Sequence, residues 1–164
     1  MTPSEEQNQS LFQYGKLLAA LASAKVDFAV VGGLAVIFNG YSRFTLDADI
    51  VVDDTAANLE RMLGVLRGWG EGWARELSVA DFTPEEGAVR VAEDFELDIF
   101  VRLRGLAWRD FQSRLRHIDY EGVLIPYLSP QDLLHCKENS VRDKDQLDVI
   151  ALKKIIQQEE LSQP

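Results

Sequence analysis

The stretch FAVVGGLAVIFNGYSRFTLDADIVV, residues 28–52, restricts the fold more than any other part of the chain. Its opening residues form a short β-rich run stopped by Gly32-Gly33, which reads as a buried strand. LAVIFNG is apolar until it ends at Asn39-Gly40, and after a double glycine a short buried helix suits it better than more strand. LDADIVVDD then returns as a second strand. Strand, glycine turn, helix and strand in so short a span point to an α/β arrangement.

The flanking chain extends this pattern. From Ser4 to about Ala24, Leu11, Leu17, Leu18 and Leu21 recur at helical spacing. Thr55 to about Trp69 is predicted helical, with Leu59, Met62, Leu63 and Leu66 inward and Asp53, Asp54 or Thr55 able to cap it. Residues 68–87 carry no clear period. AVRVAEDFELDIFVRL reads as two strands turning near Glu93-Asp94, with Phe95, Leu97, Ile99 and Val101 on one face. After Gly105 the spacing of Trp108, Phe111, Leu115 and Ile118 predicts a helix, followed by a short strand, VLIPYLS. Ser129-Pro130, with Asp132 in the first turn, is a strong helix start, and a last helix is expected from about Asp143 to Glu160. A chain of 164 residues that is 46% apolar suits one domain, with its core over about 26–128 and C-terminal helices over about 129–160.

Charge narrows the partners. Asp and Glu total 27 against 17 Lys and Arg, a net charge of −10, so a polyanion would have to meet a local basic patch. One such patch exists: Arg102, Arg104, Arg109, Arg114 and Arg116 are interrupted by a single acid, Asp110. Arg102 and Arg104 share strand parity with Asp98, which suits an RNA or nucleotide acceptor; pairing with the surplus carboxylates is the stronger reading. The lone Cys136 can close no intrachain disulfide, which fits a reducing compartment, and cytoplasm is expected. MTPSEEQNQS is polar and acidic, and the longest apolar run is broken by glycines, so neither a signal peptide nor a membrane span is expected.

Asp47 and Asp49 are two apart on a predicted strand and therefore project from the same face. Adjacent carboxylates repel unless one is protonated or a cation lies between them, and a hard divalent cation with oxygen ligands is the usual remedy. A solvated strand end with both acids in water explains the pair equally well. Asp98 in FELDIFV projects from its own strand's non-core face with Glu96, Phe100 and Arg102, which offers a third acid and a neighbouring arginine able to pair with it. Gly32-Gly33, joining a strand to a helix, can expose backbone N–H groups to a phosphate, although a plain tight turn is the commoner role of such a pair.

VVGGLAVIFNGYSRFTLDADIVV resembles the signature of the DNA polymerase β-like nucleotidyltransferase superfamily: a hydrophobic strand, a glycine pair opening a helix, D-x-D on the next strand and a carboxylate on a later one. The Arg43-x-Thr45-x-Asp47-x-Asp49 spacing and LSPQDLLHCKENSVRDKDQLDVIAL are similar to the AbiEii-type toxin nucleotidyltransferases. The resemblance covers most of residues 28–152. It implies a mixed β-sheet flanked by helices and a transfer of a nucleoside monophosphate from NTP to an acceptor hydroxyl, with release of pyrophosphate. Two Mg²⁺ ions would be held by Asp47, Asp49 and Asp98, which are the catalytic candidates. Gly32, Gly33, Arg43, Thr45 and Lys137 would bind the nucleotide. Many members carry Gly-Ser where this chain has Gly32-Gly33, and Arg43 and Thr45 are candidates to replace the missing hydroxyl. Arg142, Lys144 and Asp145 either close the nucleotide site or decorate a helix end.

An acceptor on RNA, protein or a small molecule is compatible with this reading, as is an antitoxin or other partner chain. A noncatalytic nucleotide- or partner-binding member of a toxin–antitoxin pair is the main alternative. A metal-dependent nuclease or phosphohydrolase is a third, less suited to a glycine turn ahead of the D-x-D. Isolated His117 and His135 argue against zinc. Cys136 and the tryptophans Trp69, Trp73 and Trp108 read as packing.

Overall fold

Six strands form one mixed sheet in a computed structural model that describes residues 5–45, 47–70, 72–92, 96–138 and 143–163. Leu46, Phe95, the Glu93-Asp94 turn and Arg142 lie outside the described residues, as do the side chains of Trp73 and Lys144. In chain order the elements are α1 (Glu5–Ser23), β1 (Phe28–Val31), α2 (Gly32–Phe38), β2 (Asp47–Val52), α3 (Ala56–Arg67), β3 (Ala88–Ala92), β4 (Glu96–Phe100), α4 (Trp108–Phe111), β5 (Arg116–Tyr120), β6 (Val123–Tyr127), α5 (Pro130–Lys137) and α6 (Asp143–Leu161). Two 3₁₀ turns, Trp73–Glu76 and Val79–Asp81, lie in the stretch without a clear sequence period.

The sheet order is β3-β4-β2-β1-β6-β5. Neighbours β1/β2, β3/β4 and β5/β6 are antiparallel, whereas β2/β4 and β1/β6 are parallel. The central strand β1 is buried along its whole length, because FAVV meets protein on both sides. Strand β2 instead alternates at its start: Ala48 and Ile50 are fully buried while Asp47 and Asp49 keep partial access to solvent. Period-2 alternation thus places both acids on one face, as the sequence implied.

The leucine stripes bury as expected. Leu11, Leu17, Leu18 and Leu21 of α1 join Leu59, Met62, Leu63 and Leu66 of α3 in the core. Thr55 is the N-cap residue of α3 but makes no side-chain cap bond; its hydroxyl donates to Asp53 Oδ2 at 3.1 Å. Buried Asn58 secures this corner instead, its amide donating to the carbonyls of Asp27 and Asp53 and its Oδ1 accepting from the Asp27 N–H at 2.7 Å.

One expected element is corrected. The helix after Gly105 ends at Phe111 and passes through a 3₁₀ turn, and Ile118 belongs to a strand, Arg116–Tyr120, antiparallel to β6. The reversal occurs at Glu121-Gly122, both with positive φ (49° and 87°), the conformation of a two-residue hairpin loop of the primed type. Trp108 and Phe111 are buried in α4 while Ile118 is buried from the sheet, so the apolar spacing that resembled one helix is shared between two elements. Ser129 caps α5 as expected, its Oγ accepting from the Asp132 N–H at 3.2 Å. Helices α5 and α6 pack on each other, and α2 packs on both. Among the described residues no helix is long and apolar enough to cross a membrane.

Candidate active site

Strand register builds the site. Asp49 lies opposite Val31 of β1 on one side and opposite Asp98 of β4 on the other, and Asp98 lies opposite Arg90 of β3. Direct cross-strand neighbours share a face, so a row of Val31, Asp49, Asp98 and Arg90 runs across four strands. One step along, Asp47 lies opposite Glu96. Val31 ends β1 and Gly32 follows, so the glycine pair meets the row at Asp49.

That contact explains Gly32. It sits at φ +64°, and a Cβ there would collide with the Asp49 carboxylate. Gly33 has a different reason: a Cβ would lie 3.0 Å from an Arg43 guanidinium nitrogen and 3.2 Å from Thr45 Oγ1. The side chains of Arg43 and Thr45 therefore stand in the space beside Gly33 that a seryl side chain would enter. Thr45 also donates from Oγ1 to the Asp47 carbonyl at 3.2 Å, which ties the loop to β2.

An open cleft of about 180 Å³ collects most of the expected residues. Gly32, Gly33, Arg43, Thr45, Asp47, Asp49 and Lys137 all line it, with an apolar wall of Val31, Phe100, Leu103 and Leu133. Asp98 does not line it; it stands behind Asp49, its side chain only 12% exposed. Burial first, then the charges of Asp98 and Asp47, push the Asp49 carboxyl up to about 6, and a shared hydrogen bond with Asp98 acts the same way. Glu96 is also shifted upward, chiefly through a hydrogen bond with Asp47.

Lys137 is no freely solvated lysine. Its Nζ contacts Asp145 Oδ1 at 2.9 Å and Asp148 Oδ2 at 3.0 Å. Asp148 Oδ2 also accepts from Arg43 at 2.5 Å, so one fully buried carboxylate on α6 holds both cleft cations. Asp145 lines the cleft beside Lys137, while Lys144 and Arg142 of the expected cluster fall outside what is described. Replacing Asp148 with Asn should destabilise the protein by about 2 kcal/mol, the cost of leaving charged partners short of an acceptor. Urea unfolding measures it, and an unchanged midpoint would show that the network carries no stability.

The arginine patch resolves into pairing. Arg102 meets Asp54 at 3.2 Å, Arg109 meets Asp53 at 3.1 Å, Arg114 meets Asp132 at 3.0 Å and Arg116 meets Glu159 at 2.8 Å. Arg104 donates to the carbonyls of Cys136 and Glu138. The shared strand parity that would turn Arg102 and Arg104 to the proposed metal face with Asp98 does not hold, because strand β4 ends at Phe100. Cys136 packs against the core at the edge of the cleft, and burial pushes its thiol up to about 11. Trp69 and Trp108 pack likewise.

With the fold and the cleft described, comparison with known proteins is informative. Residues 9–162 match the family described as nucleotidyltransferase of unknown function (DUF6036). The chain belongs to that family. No curated protein matches it significantly. The lincosamide antibiotic adenylyltransferase LnuA, solved with lincomycin bound, superposes with a TM-score of 0.58 at 18% identity, covering 94% of this chain and 99% of LnuA. An antigenic nucleotidyltransferase-like protein from Paracoccidioides brasiliensis gives 0.54 at 18% identity, covering 93% and 78%. A putative nucleotidyltransferase from Thermotoga maritima gives 0.52 at 16%, covering 94% and 91%. These likenesses show that the fold is that of the nucleotidyltransferases.

In this DUF6036 nucleotidyltransferase two site residues escaped sequence reasoning. Asp148 follows Asp145 by one helical turn, a signal available in KDQLD but meaningful only once α6 is known to pack beside Lys137. Arg90 is the other. Its Nε and Nη2 donate to the two oxygens of Asp98, each at 2.8 Å, and Nη2 is 3.8 Å from Asp47 Oδ2. Arg90, and not Arg102, is the partner of Asp98. Among the described residues no three His, Cys, Asp or Glu side chains are arranged to hold a metal ion together. The donor set nevertheless fits a hard cation in kind, being carboxylate oxygen throughout on adjacent strands and crowded enough to raise Asp49.

Proposed function

We propose that the protein transfers a nucleoside monophosphate from an NTP to an acceptor hydroxyl with release of pyrophosphate, using divalent metal ions held by Asp47, Asp49 and Asp98. The observation that carries this reading is the single cleft in which Asp47 and Asp49 face Gly32, Gly33, Arg43, Thr45 and Lys137. A triphosphate needs carboxylates for its cations at one end and donors for its oxygens at the other, and the cleft offers both within reach.

Arg43 and Lys137 would bind the β- and γ-phosphates, exchanging contacts with Asp148 and Asp145 for contacts with phosphate oxygens. Gly32 and Gly33 would let the α-phosphate approach the backbone. Helix α2 has only seven residues, so the side-chain cations matter more than its dipole. When bound, magnesium would neutralise the charge that develops on the phosphates during in-line displacement. Asp98 would take the proton of the acceptor hydroxyl as its oxygen bonds to the α-phosphorus, while the bond to the bridging oxygen breaks and pyrophosphate leaves.

The acceptor in this proposal is a hydroxyl of RNA, protein or a small molecule. An AbiEii-like role in a toxin–antitoxin pair, with an antitoxin or other partner chain and a cytoplasmic location, belongs to the same reading and rests on the R-x-T-x-D-x-D spacing and the KDQLD helix. The noncatalytic alternative draws on one observation, that Arg43 and Lys137 of the cleft, and Arg90 beside Asp98, are all paired with carboxylates.

One assay separates them. The full-length protein with Mg²⁺ and each α-labelled NTP, offered cellular RNA, protein or a small-molecule extract in separate arms, is expected to move label onto one acceptor class and to release pyrophosphate. Loss of label transfer in EDTA is part of the expectation. Tight NTP binding with no transfer in any arm supports the noncatalytic reading, and RNA breakage without label transfer supports the hydrolase.

A further inference from the structure

Arg90 is the described cation paired with Asp98, with Asp47 3.8 Å away, and the proposed chemistry gives it no task. Its fork takes both oxygens of Asp98, an arrangement that commits the carboxylate in direction as well as in charge. A divalent ion shared by Asp49 and Asp98 would need those oxygens, and it would sit beside a fixed positive charge. Arg90 and that ion therefore compete for one anion.

The surroundings make exchange feasible. Strand β3 is the edge of the sheet, and the Arg90 side chain is 51% exposed, so it can swing without disturbing the core. Glu96 Oε2 lies 3.4 Å from Nη1, on the same strand as Asp98 and itself 45% exposed. Arg90 can release Asp98 and remain paired with Glu96. Asp47 and Asp49 line the cleft; Arg90 stands 3.8 Å from Asp47 against 2.8 Å from Asp98, and among the described residues no arginine pairs with Asp49, so these two are more open to an ion arriving with the nucleotide than Asp98.

We propose that Arg90 is a positioning residue that holds Asp98 as its counter-ion in the metal-free enzyme and hands it over, moving to Glu96, when a second divalent ion enters. Loading is then ordered: the first ion comes with the nucleotide on Asp47 and Asp49, and the second only as Arg90 leaves. The proposal rests on the metal-ion reading of the cleft given above.

Direct metal titration tests it without any turnover. Mn²⁺ binding to the full-length protein, in the presence of a nonhydrolysable NTP analogue, is followed by electron paramagnetic resonance for the parent, Arg90→Gln and Arg90→Lys. The parent is expected to bind one ion tightly and a second weakly. Arg90→Gln should tighten the second by about tenfold or more, equivalent to about 1.4 kcal/mol, and leave the first within about threefold. Arg90→Lys, which keeps the charge but loses the fork, should tighten the second by about threefold, and it decides the matter if the Gln variant does not fold. Second-site affinity that is unchanged or weaker in the folded variants, with the first ion still bound, overturns the role of Arg90 and leaves the cleft reading intact. Failure of the parent and both variants to bind any Mn²⁺ overturns the metal reading and this proposal together.

Discussion

Asp49→Asn is expected to lower nucleotide transfer by a factor of about 10³ or more and, in the metal-free protein at pH 7, to raise stability by about 1 kcal/mol. The two effects have one cause. Asp49 lies between Asp47 and Asp98 and against Gly32, so its charge serves a cation when one is present and is opposed by its neighbours when none is. With its carboxyl pushed from 3.8 to about 6, the native state binds more protons than the unfolded chain across that interval. Stability therefore falls as pH rises from about 4 to about 6 and levels off above it, the reverse of an ion-paired carboxylate. The rise to about 6 sets a ceiling of about 3 kcal/mol, and solvent access to the cleft reduces the realised gain to the smaller figure. Asparagine keeps the shape and removes the charge. Urea midpoints at pH 4, 5, 6 and 7 should fall for the parent and stay flatter for the variant. A variant that keeps full transfer activity misplaces the site; one that is inactive but shows the parent's pH dependence shows that the acid crowding is not felt by Asp49.

The legibility of this cleft in the sequence depended on how far apart its parts lie. Asp47 and Asp49 were legible because period 2 is a local rule, and Gly32-Gly33 because a strand that stops at two glycines announces a turn. Asp98 was legible from its own strand's alternation, although its position beside Asp49 needed the parallel register of β2 and β4. Arg90 was not. It sits in AVRVA, where an arginine on an edge strand looks like ordinary surface, and only the antiparallel register sets it opposite Asp98. Asp148 was hidden for a related reason: its contact with Arg43 closes a separation of 105 residues. The missed strand Arg116–Tyr120 had a local signal, Glu-Gly between HIDY and VLIPY, that the helical spacing of Trp108, Phe111, Leu115 and Ile118 outweighed. Many members of the superfamily that the sequence resembles carry Ser after the first glycine; here Arg43 and Thr45 already occupy that volume beside Gly33.

Asp98→Asn should divide chemistry from binding. Asp98 stands behind Asp49 and outside the cleft lining, so Asp47, Asp49 and the two cleft cations keep their places when its charge is removed. Affinity for the metal–NTP complex is therefore expected to stay within about tenfold of the parent, a difference of about 1.4 kcal/mol. Transfer should fall by a factor of about 10² or more, because the acceptor hydroxyl loses the group that would take its proton. Folding should survive. The amide oxygen can still accept from Arg90, and the half-exposed guanidinium keeps Glu96 as a partner. Equilibrium binding of a labelled nonhydrolysable analogue and single-turnover transfer, measured on one preparation, give the two numbers. If transfer is retained, the three-acid assignment fails and the reaction runs on Asp47 and Asp49 alone. If nucleotide binding is lost in step with transfer while the fold persists, Asp98 belongs to the triphosphate side of the cleft, and the handover from Arg90 would then be a condition for binding rather than for the chemical step.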